Sequence, residues 1–315
     1  MLQLFKRKQR PQGLLGLSLE EQRFSLAFVS SQQGVARLEQ CERVEIRNQQ
    51  QLRELLPRQI EEMGLTGASC NAVLAPRDYN LYLVEAPAVE EDELRAAVRW
   101  KIKDLIDIPA EDAVIDIFPV PDDAFLGRSR MLYVVAAVKS RVEQMVELCQ
   151  RAELELVSID VPEMAMRNMT SCFANDENGL AFISLSSAGS NLNLTRQGKL
   201  YLARKINTQL GPDVMSSPDW ESQRERLVLE IQRSLDYYES QMGQNPVSQL
   251  IVAPRWQDTQ ALVSSLDEAI GLQVSALDFA RQLDSDAHIT AEIKQAAMIV
   301  IGAALRDHQQ QQWGE

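Results

Sequence analysis

With 315 residues, 45% of them hydrophobic and 24% charged, the chain has enough apolar material for two lobes with their own cores and is not a disordered polymer. Its formal net charge of −13 repels phosphate backbones, and no basic stripe with interleaved aromatics offsets that charge, which argues against nucleic-acid binding. The cysteines (Cys41, Cys70, Cys149, Cys172) are scattered in or beside apolar segments as buried thiols would be, and a metal site or catalytic triad built on histidine would have to use His288 and His308 alone.

Residues 1–12 read as a basic tail, with Lys6, Arg7, Lys8 and Arg10 beside Leu2, Leu4 and Phe5. Such a cluster can touch an anionic membrane surface, at about 1 kcal/mol per cation; a frayed, solvated terminus before Pro11 is the preferred reading. No charged-then-apolar signal opens the chain. The longest apolar runs, 131–138 and 298–305, fall far short of the ~20 residues of a membrane span, so a cytoplasmic address is expected. Residues 13–19, 24–29 and 35–46 are apolar or alternating stretches separated by turns at 20–23 and 30–34, the signal of a three-strand meander. A helical pattern covers 49–63, and 71–75 returns as a strand.

The next block has its own pattern. Residues 81–85 read as a strand, 90–106 as a helix, 114–120 and 131–138 as strands, 141–152 as a helix and 155–159 as a strand. This is a β-α-β-β-α-β module over about 80–153. Its first helix lines up Leu94, Ala97, Val98, Ile102, Leu105 and Ile106 on one face. Glu90, Glu91, Asp92 and Glu93 crowd its first turn, where the helix dipole favours negative charge. Arg99 and Trp100 on this helix are residue types enriched at binding hot spots, hence candidates for partner binding. The competing and slightly preferred reading has Trp100 covering the edge of the module's core while Arg99 faces water. Pro119, Pro121, Asp122 and Asp123 mark an exposed hairpin loop.

The first series of elements then recurs. Residues 180–185, 191–195 and 199–206 read as a second meander with turns at 186–190 and 197–198, followed by a long helix over 220–242 and a strand at 249–253. Each series closes on a similar phrase, Leu74-Ala75-Pro76-Arg77 and Val252-Ala253-Pro254-Arg255. Two related α/β lobes with a cleft between them follow: 13–170, which contains the inserted module, and 171–315, which ends in a helix over 289–306.

Three stretches carry a resemblance. Glu85-Ala86-Pro87, Leu94-Arg95-Ala96-Ala97-Val98-Arg99-Trp100-Lys101-Ile102 and Ile106-Asp107-Ile108-Pro109 resemble the inserted subdomain of the PilM-type pilus-assembly proteins. Leu229-Glu230-Ile231-Gln232-Arg233-Ser234-Leu235-Asp236-Tyr237-Tyr238 resembles their long second-half helix, and Ile301-Gly302-Ala303-Ala304-Leu305-Arg306 their final helix. The resemblance implies an actin-like ATPase fold, two ribonuclease-H-like lobes flanking a nucleotide cleft. It also implies a cytoplasmic subunit of a type IV pilus inner-membrane platform. Such subunits hold the short N-terminal cytoplasmic peptide of a PilN-like single-span membrane protein against the inserted subdomain and the first lobe. Association with the inner membrane then runs through that partner, and a contact with the pilus motor ATPase is implied.

In that fold an Asp-x-Gly turn opens each lobe. The Asp holds the metal and its water, and the Gly lets backbone N–H groups approach the phosphates. The corresponding positions here are Ser18-Leu19-Glu20 and Ser184-Leu185-Ser186. Serine supplies no charge to offset a triphosphate, and Glu20 places a carboxylate where a phosphate would sit. Like charges at about 4 Å cost roughly 1 to 4 kcal/mol at surface-like dielectric. The adenosine-facing loop of the family is Gly-rich, whereas this chain has Ala253-Pro254-Arg255-Trp256; proline fixes φ and disfavours a close backbone approach. No Walker-type loop is present. The small polar loop from Ser186 to Asn191, with Gly189, could cradle an anion, but an ordinary hairpin turn is preferred. Asp122-Asp123 and Asp284 with Asp286 read as solvated turn residues rather than acid–base pairs.

No catalytic residue, metal or nucleotide is therefore expected, and ATP with magnesium is disfavoured. The degenerate loops look most like the MshI-type branch of the family, which serves mannose-sensitive haemagglutinin (MSHA) pili. The expected function is a catalytically silent adaptor. Alternatives are an active ATPase of the same fold, a filament-forming scaffold of the cell-division kind, and a type II secretion platform subunit. The cell-division kind would end in an amphipathic membrane helix, whereas residues 306–315 are short and polar. The secretion subunits continue into a transmembrane helix, and none is expected here.

Overall fold

The structure, a computed structural model, describes residues 10–32, 35–109, 111–125, 130–173, 176–186, 189–208, 210–211, 213–254, 259–279 and 283–306. The tail before residue 10, Ser187 and Ala188 of the polar loop, Arg255, Trp256, His308 and the polar terminus lie outside the described residues.

Strands β1 (Leu14–Leu19), β2 (Arg23–Gln32) and β3 (Val35–Glu45) form the expected antiparallel meander, in register from Leu14 opposite Val29 to Leu19 opposite Phe24. Helix α1 (Gln49–Glu62) starts at Asn48, whose side chain accepts from the Gln51 N–H at 2.9 Å. Strand β4 (Ser69–Val73) then lies parallel beside β1. Strands β5 (Tyr79–Glu85), β6 (Ala113–Pro119) and β7 (Met131–Val138), with helix α2 (Leu94–Lys101), make up the insert; its sheet runs β5-β7-β6, all antiparallel. Helix α3 (Lys139–Arg151) and strand β8 (Glu155–Asp160) follow, then helix α4 (Pro162–Phe173), which leads into the second lobe.

The second lobe repeats the plan. Strands β9 (Leu180–Leu185), β10 (Ser190–Arg196) and β11 (Lys199–Ile206) form a meander. Helix α5 (Trp220–Ser240) precedes strand β12 (Gln249–Pro254), and helix α6 (Gln260–Ile270) precedes strand β13 (Gln273–Ala276). Strand β14 (Asp284–Ser285) returns to the first lobe, and helices α7 (Ala291–Ala296) and α8 (Met298–Ala304) close the described chain. The strand orders are β14-β3-β2-β1-β4-β8 and β11-β10-β9-β12-β13. Apart from β14 they match position for position, which is the duplication read from the sequence.

Strand periodicity distributes the cores. In β2, Phe24, Leu26 and Phe28 face a core shared with α1 and α3, while Ala27 and Val29 face the other lobe. In β9, Leu180 and Phe182 enter the same interlobe core, and Ala181, Ile183 and Leu185 pack outward toward α5. Both faces of β9 are thus covered, which explains its unbroken apolar run. The lobes are joined by one continuous core centred on α4 and α8, with Met166, Met169, Val300, Ile301 and Ala304 all buried.

Two glycines permit this closeness. A Cβ on Gly16 would stand 1.9 Å from the Val300 carbonyl oxygen, and one on Gly302 would stand 2.3 Å from that of Ala165. Polar locks sit beside them. Asn71 donates to Asp160 at 2.8 Å and to the Ala303 carbonyl at 3.1 Å, Ser158 donates to Asn71 at 2.7 Å, and Asn168 donates to the Gly302 carbonyl at 2.9 Å. Arg306 closes on Asp160 at 2.5 Å. The bonds from Asn71 and Asn168 give the Ala303 and Gly302 carbonyls at the end of α8 a side-chain partner from the first lobe and from α4.

Several expectations are revised. The β-α-β-β-α-β series occurs in that chain order, but only its first four elements form a separate unit. Helix α3 buries Met145, Leu148 and Cys149 against the first-lobe core, and β8 pairs with β4, so the inserted sheet ends at Val138. Helix α2 covers 94–101 rather than 90–106. The acids from Glu90 to Glu93 precede it in turns, and Glu93 makes no side-chain cap, so these carboxylates do not occupy its first turn. Asp284 and Asp286 clamp Arg37 of β3 instead of being free turn residues, with Asp284 at 2.6 Å. Asp123 accepts from the Tyr201 hydroxyl at 2.7 Å and pairs with Arg196 at 3.5 Å.

These last contacts fasten the insert to the second lobe. One face of the inserted sheet packs on α2 through Val84, Leu132 and Val134; the other presents Leu81, Leu83, Phe118 and Tyr133 to the second lobe. The buried Tyr133 hydroxyl accepts from the Ala203 N–H at 2.8 Å, and the Phe125 N–H donates to the Met242 carbonyl at 3.0 Å. Among the described residues no helix is long and apolar enough to cross a membrane, and no group of His, Cys, Asp and Glu could hold a metal ion.

Candidate functional site

The opening turns of both lobes face each other across a cavity of about 340 Å³. Ser18 near the end of β1 and Glu20 and Glu21 of the turn after it line one side, and Ser184 near the end of β9, Ser186 and Gly189 of its turn and Asn191 at the start of β10 line the other. Leu74 to Arg77 after β4, Lys205 near the end of β11, Pro162 and Ile299 complete the wall. Five of the residues singled out in the sequence (Ser18, Glu20, Ser184, Ser186 and Gly189) therefore converge. Ala253 does not join them. It is the register partner of Ser184 and lies buried in the interlobe core, because alternation along β12 turns it inward with Ile251. Pro254 is the last residue of β12, opposite Leu185, and Arg255 lies outside the described residues.

Each turn is closed on itself. The Glu20 N–H donates to the Arg23 carbonyl at 2.8 Å, and the Glu20 carboxylate pairs with Arg23 at 3.2 Å. Ser186 donates from its hydroxyl to the Gly189 carbonyl at 2.8 Å, while its own carbonyl accepts from the Gly189 N–H at 3.1 Å and the Leu210 N–H at 3.2 Å. Gly189 has φ of 125°, a conformation that favours glycine. Ser186 is thus engaged in holding a hairpin turn, the preferred sequence reading of this loop. Its hydroxyl donor points back into the turn.

Sequence reasoning missed two cations of the site. Arg77 crosses to Glu21 at 3.0 Å and joins the two first-lobe loops; Lys205 reaches the cleft from the second lobe. Arg77 was visible in the repeated strand-end phrase, but nothing there indicated its carboxylate partner. The charges facing the cavity are therefore mixed, Glu20 and Glu21 against Arg77 and Lys205. A triphosphate with magnesium would find serines in place of metal-binding acids and would have to approach Glu20 and separate Arg77 from Glu21. Such an arrangement can position a polar ligand.

Behind the cleft wall, Glu163 on the first turn of α4 is buried. It accepts from the Tyr79 hydroxyl at 2.6 Å, and its backbone carbonyl accepts from the Asn193 side chain at 2.8 Å. Burial pushes the Glu163 carboxyl above its ordinary value, against the opposing pull of that hydroxyl. The Tyr79 phenol is pushed up well beyond its usual value by its own burial and by the neighbouring carboxylate. One residue thus ties the insert, the interlobe helix and the second lobe together. The sequence offered no signal for it, since an acid after a proline reads as an ordinary helix start.

A small hollow of about 20 Å³ adjoins the cleft on the first lobe, between α1 and α3. It is lined by Gln49 and Leu52 of α1, Asp78, and Arg141, Gln144 and Met145 of α3, and it shares Leu19, Glu20, Leu74, Ala75 and Arg77 with the cleft. Asp78 pairs with Arg141 at 3.4 Å. Arg99 and Trp100 lie apart, on the outer face of α2. Trp100 is 75% exposed, which corrects the expectation that it covers the module's core: Leu94, Val98 and Ile102 fill that role and turn Trp100 to the opposite side.

No protein-family model matches the chain, and no curated protein matches it in sequence. Solved structures do match in shape. A chain of a PilM–PilN type IV pilus biogenesis complex superposes with a TM-score of 0.72 at 18% identity, over 94% of this chain and 99% of that one. The cytoplasmic domain of EpsL, an inner-membrane component of the type II secretion system of Vibrio cholerae, gives 0.51 at 13% identity, over 94% and 95%. A Bacteroides thetaiotaomicron protein with an actin-like ATPase fold gives 0.51 at 13% identity, over 95% and 98%. The chain has the actin-like ATPase fold.

Proposed function

We propose that this chain is a nucleotide-silent adaptor of a pilus-assembly platform, which holds the N-terminal cytoplasmic peptide of a PilN-like single-span membrane protein. The observation that carries the reading is the likeness, over nearly the full length of both chains, to a protein solved as part of a PilM–PilN complex. The weaker likeness to the EpsL cytoplasmic domain keeps a secretion-platform scaffold as the second reading. In either reading the protein would sit at the cytoplasmic face of the inner membrane, held there through a partner, and a contact with the motor ATPase of the system is part of the proposal. Assignment to the MSHA branch belongs to this proposal too, and the sequence supports it through the loss of both cleft acids.

The seat of this proposal is the first-lobe surface between α1 and α3, beside the start of the insert, where Gln49, Arg77, Asp78, Arg141 and Gln144 form a polar rim over the buried Leu52 and Met145. The cleft above serves as architecture. Its turns are self-bonded, and Glu20 opposes triphosphate.

Calorimetry with the N-terminal cytoplasmic peptide of a PilN-like single-span protein tests the reading. Saturable binding is expected, weakened about tenfold or more by Arg141→Glu on the exposed rim. Such a loss corresponds to at least about 1.4 kcal/mol. Equal binding by wild type and Arg141→Glu would move the seat elsewhere, and no binding by wild type would sink the adaptor.

A further inference from the structure

A second cavity of about 340 Å³ opens between the end of β6, helix α4 and the β10–β11 turn, and it shares no lining residue with the cleft or its adjoining hollow. Phe118, Pro119 and Met164 give it apolar walls over the buried Val120 and Leu200. The Phe118 ring is held in place by stacking on Tyr133, with centroids 5.1 Å apart. Three cations line the same space from three parts of the fold: Arg130 just before β7, Arg167 of α4 and Lys199 at the start of β11. Asp122 is the lining acid. Arg130 is already neutralised by Glu91 at 2.8 Å, and the nearby Asp123 is taken by Tyr201 and Arg196. Arg167 donates to the Asn168 side chain at 2.9 Å. Burial pulls its pKa down to about 10; Asp160 opposes that shift and Arg306 adds to it. Asp160 already receives Arg306 at 2.5 Å and Asn71 at 2.8 Å, so one carboxylate serves two guanidinium groups. Lys199 makes no ion pair among the described residues. Its place is set by the turn before it, where Gln197 and Gly198 have φ of 51° and 69° and Asp176 accepts from both N–H groups, at 3.1 and 3.0 Å. With Glu91 and Asp160 counted, the walls keep Arg167 and Lys199 against Asp122, a cationic surplus in a chain of net charge −13.

We propose that this cavity binds a small organic oxyanion, an apolar body that carries a phosphate or carboxylate. Its volume lies at the lower end of the roughly 300–1,000 Å³ of small-molecule sites, and apolar walls with a few convergent polar groups are the usual make-up of such sites. The apolar body lies against Phe118, Pro119 and Met164, and the anionic group is met by Arg167 and Lys199. A cation that is poorly compensated where water is scarce gains more from an incoming anion than a solvated one does. An anion without an apolar part would leave the walls unfilled, and a neutral apolar molecule would leave the charge of Arg167 unanswered. The walls come from the insert and the cations from α4 and the second lobe, so a bound ligand bridges all three and stabilises the fold by mass action. The site goes beyond the adaptor reading and does not depend on it.

The test is saturation-transfer NMR on the full chain with phenyl phosphate, benzoate and benzyl alcohol as probes, and thermal melts alongside. Both anions are expected to bind, to compete with each other and to raise Tm as their concentration rises. Phenyl phosphate binds the more tightly of the two because it carries more charge. Benzyl alcohol, which has the ring and no charge, binds at least about tenfold more weakly. Lys199→Gln weakens phenyl phosphate about fivefold, the scale of one exposed ion pair, and Arg167→Gln weakens it at least about tenfold. Asp122→Asn tightens it, because that variant removes the lining acid. Lys199 and Asp122 are exposed, so their variants melt as the parent does and keep the test decisive should Arg167→Gln unfold the chain. The proposal is overturned if the parent binds neither anion, or if benzyl alcohol binds as tightly as they do. It is equally overturned if Lys199→Gln and Asp122→Asn leave the affinity for phenyl phosphate unchanged.

Discussion

Replacing Gly302 with alanine tests the closeness of the two lobes. Intrinsic preference favours the change, since alanine inside a helix is better than glycine by about 1 kcal/mol. The structure opposes it. The new Cβ would lie 2.3 Å from the Ala165 carbonyl oxygen and 2.8 Å from its carbon, both rigid backbone of α4. Helix α8 would have to withdraw by roughly 1 Å to reach ordinary contact. Overpacking of this kind costs about 1 to 3 kcal/mol, and the withdrawal stretches the 2.9 Å bond from Asn168 to the Gly302 carbonyl, about 1 kcal/mol more. The net expectation is a loss of about 1 to 3 kcal/mol. At roughly 2.1 cal/mol/K per residue, a chain of this size loses about 1.5 °C of Tm per kcal/mol, so a fall of about 2 to 5 °C is expected. Urea titration with matched thermal melts measures it, and Gly211→Ala, which meets nothing within 4 Å, is the control. A Gly302→Ala protein as stable as the parent, or more stable, would refute the close α4–α8 approach.

Further outcomes follow from the polar junctions. Tyr133→Phe leaves the Ala203 N–H, now bonded at 2.8 Å, without its acceptor and costs about 1 to 3 kcal/mol in urea unfolding, with faster proteolysis of the insert. Glu163 has its carboxyl raised above the ordinary 4.5 in the folded protein, so its favourable contribution is present below pH 4.5 and is lost as pH rises through the folded value. The stability of Glu163→Gln relative to the parent should therefore climb with pH above 4.5 and then level off; a difference independent of pH would contradict the buried carboxyl. Arg77→Ala, which frees Glu21, should leave the global melt within about 0.5 kcal/mol, as for other exposed pairs, and this is checked by urea titration.

The parts legible in the sequence were those whose signal is local. Residues 131–138, 180–185 and 199–206 became β7, β9 and β11 with the expected bounds, because apolar runs between turn residues define them without help from the rest of the chain. The partnership of β8 was not legible, since which sheet a strand joins depends on contacts far along the chain. Its pairing with β4 and the burial of α3 against α1 decide that, and a bulge next to Leu156 leaves Val157 exposed. Helix α2 was overread because the apolar period continues through Ile102 and Ile106, although local turns end the helix at Lys101. At the cleft, the serines and Glu20 could be placed by motif position. Arg77, Lys205 and Glu163 could not, because their roles come from partners on other elements. Ala253 was rightly read as a strand residue, but its place in the phrase suggested that it faces the cleft, whereas strand alternation buries it in the interlobe core.

The most direct test of the silent-adaptor account is the affinity of the cytoplasmic peptide measured with and without ATP and magnesium. Saturable binding with the same Kd in both conditions is predicted. Binding that appears or tightens only when the nucleotide and its metal are present would contradict it.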